Sequence, residues 1–221
     1  MRISFVNGKI FTIGNEKNFF SFHILRGWKM KTGASDELNV RILDEAAKLF
    51  DEKGIRFTMD DLARSLGVSK KTLYTVYDDK RSIMIKTIDR FFDDALREEA
   101  DIIADESLGV VEQLREVIGR VPERYTQNDL SQLYVLKEKY PSVYRHWQRC
   151  REEYWKGAAM LLNKGVEEGV IRPVSIPIFK TMFQSTIEQF FQNDILIKNR
   201  IKYRDALKEV ANILVDGIIL K

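Results

Sequence analysis

Between residues 40 and 80, polar caps and two glycines cut the chain into short helices, and no other segment limits the fold as tightly. Leu43, Ala46, Ala47 and Phe50 recur at i, i+3, i+4 and i+7, with Asp44, Glu45, Lys48, Asp51 and Glu52 on the opposite face. A helix is therefore expected from Asp36 to a stop at Gly54. Thr58-Met59-Asp60-Asp61 has the form of a capping box ahead of Leu62, Ala63 and Leu66, which gives a helix of about two turns ending at Gly67. Ser69 caps a third helix through Lys70 to Tyr77, and Asp78 or Asp79 caps a longer fourth helix carrying Ile83, Ile85, Ile88, Phe91, Phe92 and Leu96. Two short helices joined by Leu66-Gly67-Val68-Ser69 make a helix-turn-helix, whose second helix can enter a major groove while the first braces it on the backbone. Local charge agrees: Arg64, Lys70, Lys71, Lys80 and Arg81 outweigh Asp78 and Asp79, whereas residues 36–61 are acidic on balance.

The whole-chain balance is too mild to announce such a role, since 36 basic against 33 acidic residues leave a net charge of +3 among 221 residues. With 44% hydrophobic residues and only four prolines the chain is expected to be ordered and helical. A single cysteine, Cys150, excludes an internal disulfide and any cysteine-rich metal centre. No apolar run approaches the ~20 residues of a membrane span, and the stretch from Phe19 to Leu25 is too short for a leader, so a cytoplasmic protein without a membrane partner is expected. No phosphate-binding glycine loop, nucleophile elbow or His-Glu-x-x-His is present, and His23 and His146 are the only histidines, so neither an enzyme nor a cofactor is expected.

Residues 1–35 read as an extension outside the domains. Asn7-Gly8 between two β-prone runs is a hairpin signal, but no further strand is expected for it to join. Met30 offers an alternative start, which would make the preceding residues unordered or not native; the rival reading is a basic arm built on Arg2, Lys9, Lys17, Arg26 and Lys29.

The run from Ile42 to Gly54, then Thr58-Met-Asp-Asp-Leu-Ala63, then Gly67 to Tyr77 with Lys80, closely resembles the DNA-binding domain of TetR/AcrR transcriptional regulators. The resemblance covers about fifty residues, Val40 to Ile88. It implies an all-α protein: a three-helix helix-turn-helix domain at 36–90, then an all-helical effector-binding and dimerisation domain at 91–221. The function implied is a ligand-responsive regulator, a repressor that binds double-stranded DNA at an inverted-repeat operator as a homodimer. A helical partner-binding protein without sequence-specific DNA grip is the alternative.

Lys70, Lys71 and Thr72, behind the cap Ser69, open the helix that would face base edges, and lysine can donate to guanine while Thr72 or Thr75 can touch a thymine methyl. Contact to phosphate alone is the competing reading. Thr58 caps its helix and can present its hydroxyl to a phosphate. By the resemblance, Tyr74 is the recognition-helix tyrosine, Lys80 the phosphate-binding lysine and Tyr77 either a core aromatic or a DNA contact. Val76 departs from the polar residue many relatives carry there.

In the second domain, helices are expected near Val110–Tyr125, over Val143–Glu168 and at the C-terminus. Tyr134, Trp147, Cys150, Tyr154 and Phe183, with Trp155 and Met160, are candidates to line an apolar effector pocket, against ordinary core packing. Phe183, Phe190, Leu207, Val210, Leu214, Gly217 and Ile218 are the candidate dimer seam. His146 and Cys150 on one helix are weak ground for a metal or redox role, and no metal is expected.

Overall fold

A computed structural model describes residues 2–6, 9–13, 34–121 and 132–220. They fall into two units, Met1–Thr32 and Gly33–Lys221. In the first, β1 (Arg2–Val6) and β2 (Lys9–Ile13) pair antiparallel, with Arg2 opposite Ile13 and Val6 opposite Lys9. That register places the strand ends on either side of Asn7-Gly8, whose own conformation lies outside the described residues, as do residues 14–33.

Among its described residues the second unit is built of helices and loops, with one isolated bridge between Ile171 and Ile219, as the expected helical class requires. α1 (Ala34–Lys53) begins two residues ahead of the expected start and turns through a 3-10 segment, Gly54–Arg56. α2 (Met59–Leu66) is held at its start by a reciprocal capping box: Asp61 N–H donates to Thr58 Oγ1, and Thr58 N–H donates to Asp61 Oδ2. It ends at Gly67 with φ +66°, where the amides of Gly67 and Val68 close back on Arg64 and Ala63. No atom lies within 4 Å of where a Cβ would stand there, so conformation and not space calls for glycine.

α3 (Lys70–Tyr74) is shorter than expected. The amides of Val76 and Tyr77 both return to the Leu73 carbonyl, tightening the chain so that Tyr77 turns into the core. α4 (Lys80–Ala104) starts on a second capping box made by Asp79 and Ser82. Its 25 residues extend roughly 37 Å at ~1.5 Å per residue, and residues 90 and 91, the expected domain division, lie in mid-helix.

α5 (Val110–Gly119) stops where Arg120 becomes extended, earlier than expected, and the chain past Val121 lies outside the described residues until α6 (Gln132–Lys139). α7 (Pro141–Glu167) has proline in its first turn. α8 (Ile176–Gln192), α9 (Ile195–Lys198) and α10 (Tyr203–Asp216) complete the unit.

Two cores result. The head core joins Ile42, Leu43, Ala46, Leu49, Phe57, Leu62, Leu73, Tyr77, Ile83 and Met84, and Leu136 of α6 and Val143 of α7 close it. The second core packs Ile102, Leu114, Val117, Leu161, Leu162, Ala211 and Val215. Because α4 and α7 each contribute to both cores, movement of either helix is felt in the other core.

Candidate nucleic-acid interface and regulatory cavity

The capped turn between α2 and α3 fixes which side chains of the recognition helix stay free. Ser69 Oγ accepts from the Thr72 amide at 3.0 Å and lies 2.8 Å from Thr72 Oγ1, while Thr75 Oγ1 donates to the Thr72 carbonyl at 2.6 Å. Thr72 is thereby half-buried and committed to its own turn. Lys71 and Tyr74 are exposed, the tyrosine at 49%, and Lys71 makes no ion pair among the described residues. Lys70 is also exposed, but its ammonium is 2.6 Å from Asp60 Oδ2, and this hydrogen-bonded ion pair raises its pKa. Arg56, Arg64 and Arg81 are also exposed on the head.

Three candidates have roles inside the fold. Tyr77 is buried with its hydroxyl bonded to Asn39 Oδ1, and burial pushes its pKa up to about 12. It is therefore a core residue rather than a DNA contact. The Lys80 ammonium points inward: it donates to the Ile55 carbonyl at 2.5 Å and sits 4.2 Å over the Phe57 ring, and desolvation lowers its pKa. Thr58, although exposed, holds the α2 cap. Its partner Asp61 is kept well below the usual carboxylate range, first by the hydrogen bond from Lys53 and then by those from Thr58.

A cavity of about 210 Å³ opens between the head and the helices that follow it. Ala46, Ala47 and Phe50 of α1 form part of its wall; Thr87, Phe91 and Phe92 of α4 and Phe183 of α8 form another. Of the candidates, Trp147, Tyr154 and Phe183 line it, joined by Trp155, whereas Cys150 does not and the Tyr134 side chain lies outside the described residues. The sequence reading missed Arg151, which shares a face of α7 with Trp147 and Tyr154 at i, i+4 and i+7; that spacing was the available signal. Cys150 falls off this face, which is the reason for the correction. The Tyr154 hydroxyl is used up in a 2.9 Å bond to the Val117 carbonyl. Among the lining residues, Arg151 Nε, Trp155 Nε1 and Gln184 Nε2 are buried donors without a partner.

The expected dimer seam is corrected in part. Leu207 and Ile218 are buried in the protomer's own cores, and Leu214 packs against the second one. The apolar side chains left outward are Ile178 (63% exposed) and Met182 on α8 and Ile213 (61%) on α10, on neighbouring rows of the same helices. Among the described residues, no helix is long and apolar enough to cross a membrane.

A capped helix-turn-helix with an exposed basic recognition helix, continued by helices around an apolar cavity, defines a predominantly helical DNA-binding transcriptional regulator. Residues 42–86 match the family described as "Bacterial regulatory proteins, tetR family". The HTH-type transcriptional regulator YvaF of Bacillus subtilis is 28% identical over 181 residues, which span 82% of this chain and 95% of YvaF. IcaR of Staphylococcus epidermidis, a negative transcriptional regulator of the biofilm operon icaADBC, is 33% identical over 108 residues, 47% of this chain and 55% of IcaR. A transcriptional regulator of Saccharomonospora viridis, solved in complex with choline, shares the fold with a TM-score of 0.68 at 18% identity, over 84% of this chain and all of that one. Residues 42–86 thus form a DNA-binding domain of the tetR type, and the relatives it matches are transcriptional regulators.

Proposed function

We propose that the protein is a cytoplasmic, homodimeric repressor that binds an inverted-repeat operator and releases it on binding a small amphiphilic effector. The observation carrying the DNA reading is the recognition helix, whose capped start leaves Lys71 and Tyr74 free and exposed. Lys71 reaches a base edge or phosphate, Tyr74 the neighbouring strand, and Thr58, Arg64 and Arg81 the flanking backbone. Lys70 joins them when its exposed ion pair with Asp60 opens, which costs little in water. Repression is favoured by the similarity to IcaR, a named negative regulator.

Two heads are required because half-sites of a palindrome lie ~34–36 Å apart along one face of DNA. The outward Ile178, Met182 and Ile213 supply an apolar face for pairing two copies. The effector acts through the cavity wall contributed by α1 and α4, since a ligand there bears directly on the head. Arg120, Arg151, Trp155 and Gln184 bring hydrogen-bond donors to an otherwise apolar lining, which favours an apolar body with an acceptor-rich head such as a carboxylate.

Selection of bound duplexes from a random pool tests the DNA reading. An inverted repeat bound by two chains is expected, and salt-sensitive binding without sequence preference would favour the partner-binding alternative. A medium-chain carboxylate is then expected to release the selected duplex more effectively than choline, the ligand of the Saccharomonospora viridis structure; equal potency would remove the role of the donor residues in the lining.

A further inference from the structure

Asp89 of α4 meets His146 and Cys150 of α7 where the two long helices cross, outside the cavity. His146 Nε2 lies 2.6 Å from Asp89 Oδ1 and 3.6 Å from Cys150 Sγ, and all three donor atoms fall within 4.8 Å of one another. A hydrogen bond from one ring nitrogen can be aimed at one of these partners, whereas a cation between the three uses all of them. With Zn–N of about 2.0–2.1 Å and Zn–S of about 2.3 Å at a tetrahedral angle, nitrogen and sulfur stand roughly 3.5 Å apart, which is the separation already present. The carboxylate oxygen has only to withdraw by somewhat under ~1 Å to reach the corresponding distance.

We propose that Asp89, His146 and Cys150 form a binding site for a zinc-class divalent cation, with water completing the coordination. The donor set decides the class: imidazole and thiolate suit zinc, while magnesium and calcium demand oxygen ligands. His146 and Cys150 project from one helix face at i and i+4, and all three residues are half-buried, so a cation can enter from solvent. Lys86 Nζ holds the other oxygen of Asp89 at 2.9 Å, which keeps Oδ1 turned to the site as an outer-shell partner does. Binding moves two groups. The thiol loses its proton to solvent, and Arg149, exposed and 3.2 Å from His146 Nδ1, swings off the ring because that nitrogen carries the proton when Nε2 binds metal. The bound cation pins α4, the helix that leaves the helix-turn-helix, to α7, and so biases the placement of the head independently of the cavity.

The test uses the untagged full-length chain after chelation and dialysis. Cobalt(II) is expected to bind at one per chain with a thiolate charge-transfer band and tetrahedral visible bands, both abolished by stoichiometric zinc. Cys150→Ser removes the charge-transfer band, and His146→Ala and Asp89→Asn each weaken zinc binding by at least about tenfold. A second readout needs no variant: zinc slows alkylation of Cys150 in the folded protein by at least about tenfold. Absence of one-to-one binding, affinity unchanged in Cys150→Ser and His146→Ala, or an alkylation rate indifferent to zinc overturns the proposal.

Discussion

Glu99 of α4 is 1% exposed, and neither of its carboxylate oxygens has a hydrogen-bond partner. It lies so close against Gly157 of α7 that a Cβ there would come within 1.7 Å of Oε1. Desolvation alone raises its pKa from 4.5 to about 8. Below pH 4.5 the carboxyl is protonated in both the folded and unfolded chain and has no pH effect. Between pH 4.5 and 8 the unfolded chain releases the proton while the folded chain keeps it, so stability falls as pH rises, and above pH 8 the loss levels off. At about 1.4 kcal/mol per pH step the penalty is roughly 3 kcal/mol at pH 7 and roughly 5 kcal/mol at the plateau. Glu99→Gln cannot ionise, so the stability of this variant relative to the parent is expected to improve by about 3 kcal/mol between pH 5.5 and 7.5. The absolute level at acid pH is not the test, since the amide brings its own unpaired donors. Denaturant unfolding of both chains at fixed concentration measures the difference. Parallel pH profiles would show that Glu99 is ionised or solvated at neutral pH and refute the reasoning.

Lys71→Ala is expected to lower the slope of log affinity against log salt by about one, whereas Lys80→Ala leaves that slope unchanged and costs about 1 kcal/mol of stability through the lost contacts to Ile55 and Phe57. A slope that falls on replacing Lys80 would mean that its ammonium swings out to phosphate. Thr58→Ala is expected to cost about 1 kcal/mol through loss of the α2 cap. Because the Asp61 pKa is depressed, its contribution is present above pH 3.8 and is lost as pH falls below that value, so Asp61→Asn should flatten the acid limb of the stability profile; an unchanged limb measured by circular dichroism would remove Asp61 from the cap. Met182→Glu together with Ile213→Lys is expected to give monomers in sedimentation velocity with unchanged helix content, and dimers that persist would place pairing on another face.

What was legible in the sequence was local. Caps, glycines and apolar spacing act within a few residues, so Thr58, Gly67, Ser69 and the helices they bound could be read directly, and Tyr77 fell in the core as the resemblance allowed. The helix-turn-helix is therefore the part recovered most fully. The ends of α3 and α5 were overrun because a helical pattern continues past the point where the backbone tightens at Thr75 or extends at Arg120. Non-local features were not accessible. Glu99 reads as one of several solvated acids in Arg97-Glu98-Glu99, and only the approach of Gly157 shows that it is buried. His146 and Cys150 acquire meaning from Asp89, which is 57 residues from His146. Of the expected seam, Leu207 and Ile218 turn into the protomer's own cores, since an apolar helix with two apolar flanks gives no sign of which flank meets its own core.

These non-local features lie on one pair of helices. On α4, Met84, Thr87, Ile88, Phe91 and Phe92 follow the face that lines the cavity, Glu99 continues on that side further along, and Asp89 stands beyond its edge. On the readings proposed above, an effector in the cavity would push α4 on one face while a cation at Asp89 would hold it to α7 on another, and both would act on the helix that begins at the Asp79–Ser82 capping box. Ile83 and Met84 pack in the head core and Ile102 in the second core, so a displacement of α4 must disturb the packing of both. In the proposed dimer the head spacing would then respond to the sum of two differential affinities. Neither ligand changes operator binding unless it distinguishes two positions of α4, and each that does must itself be bound more or less tightly, by the same factor, when the operator is present.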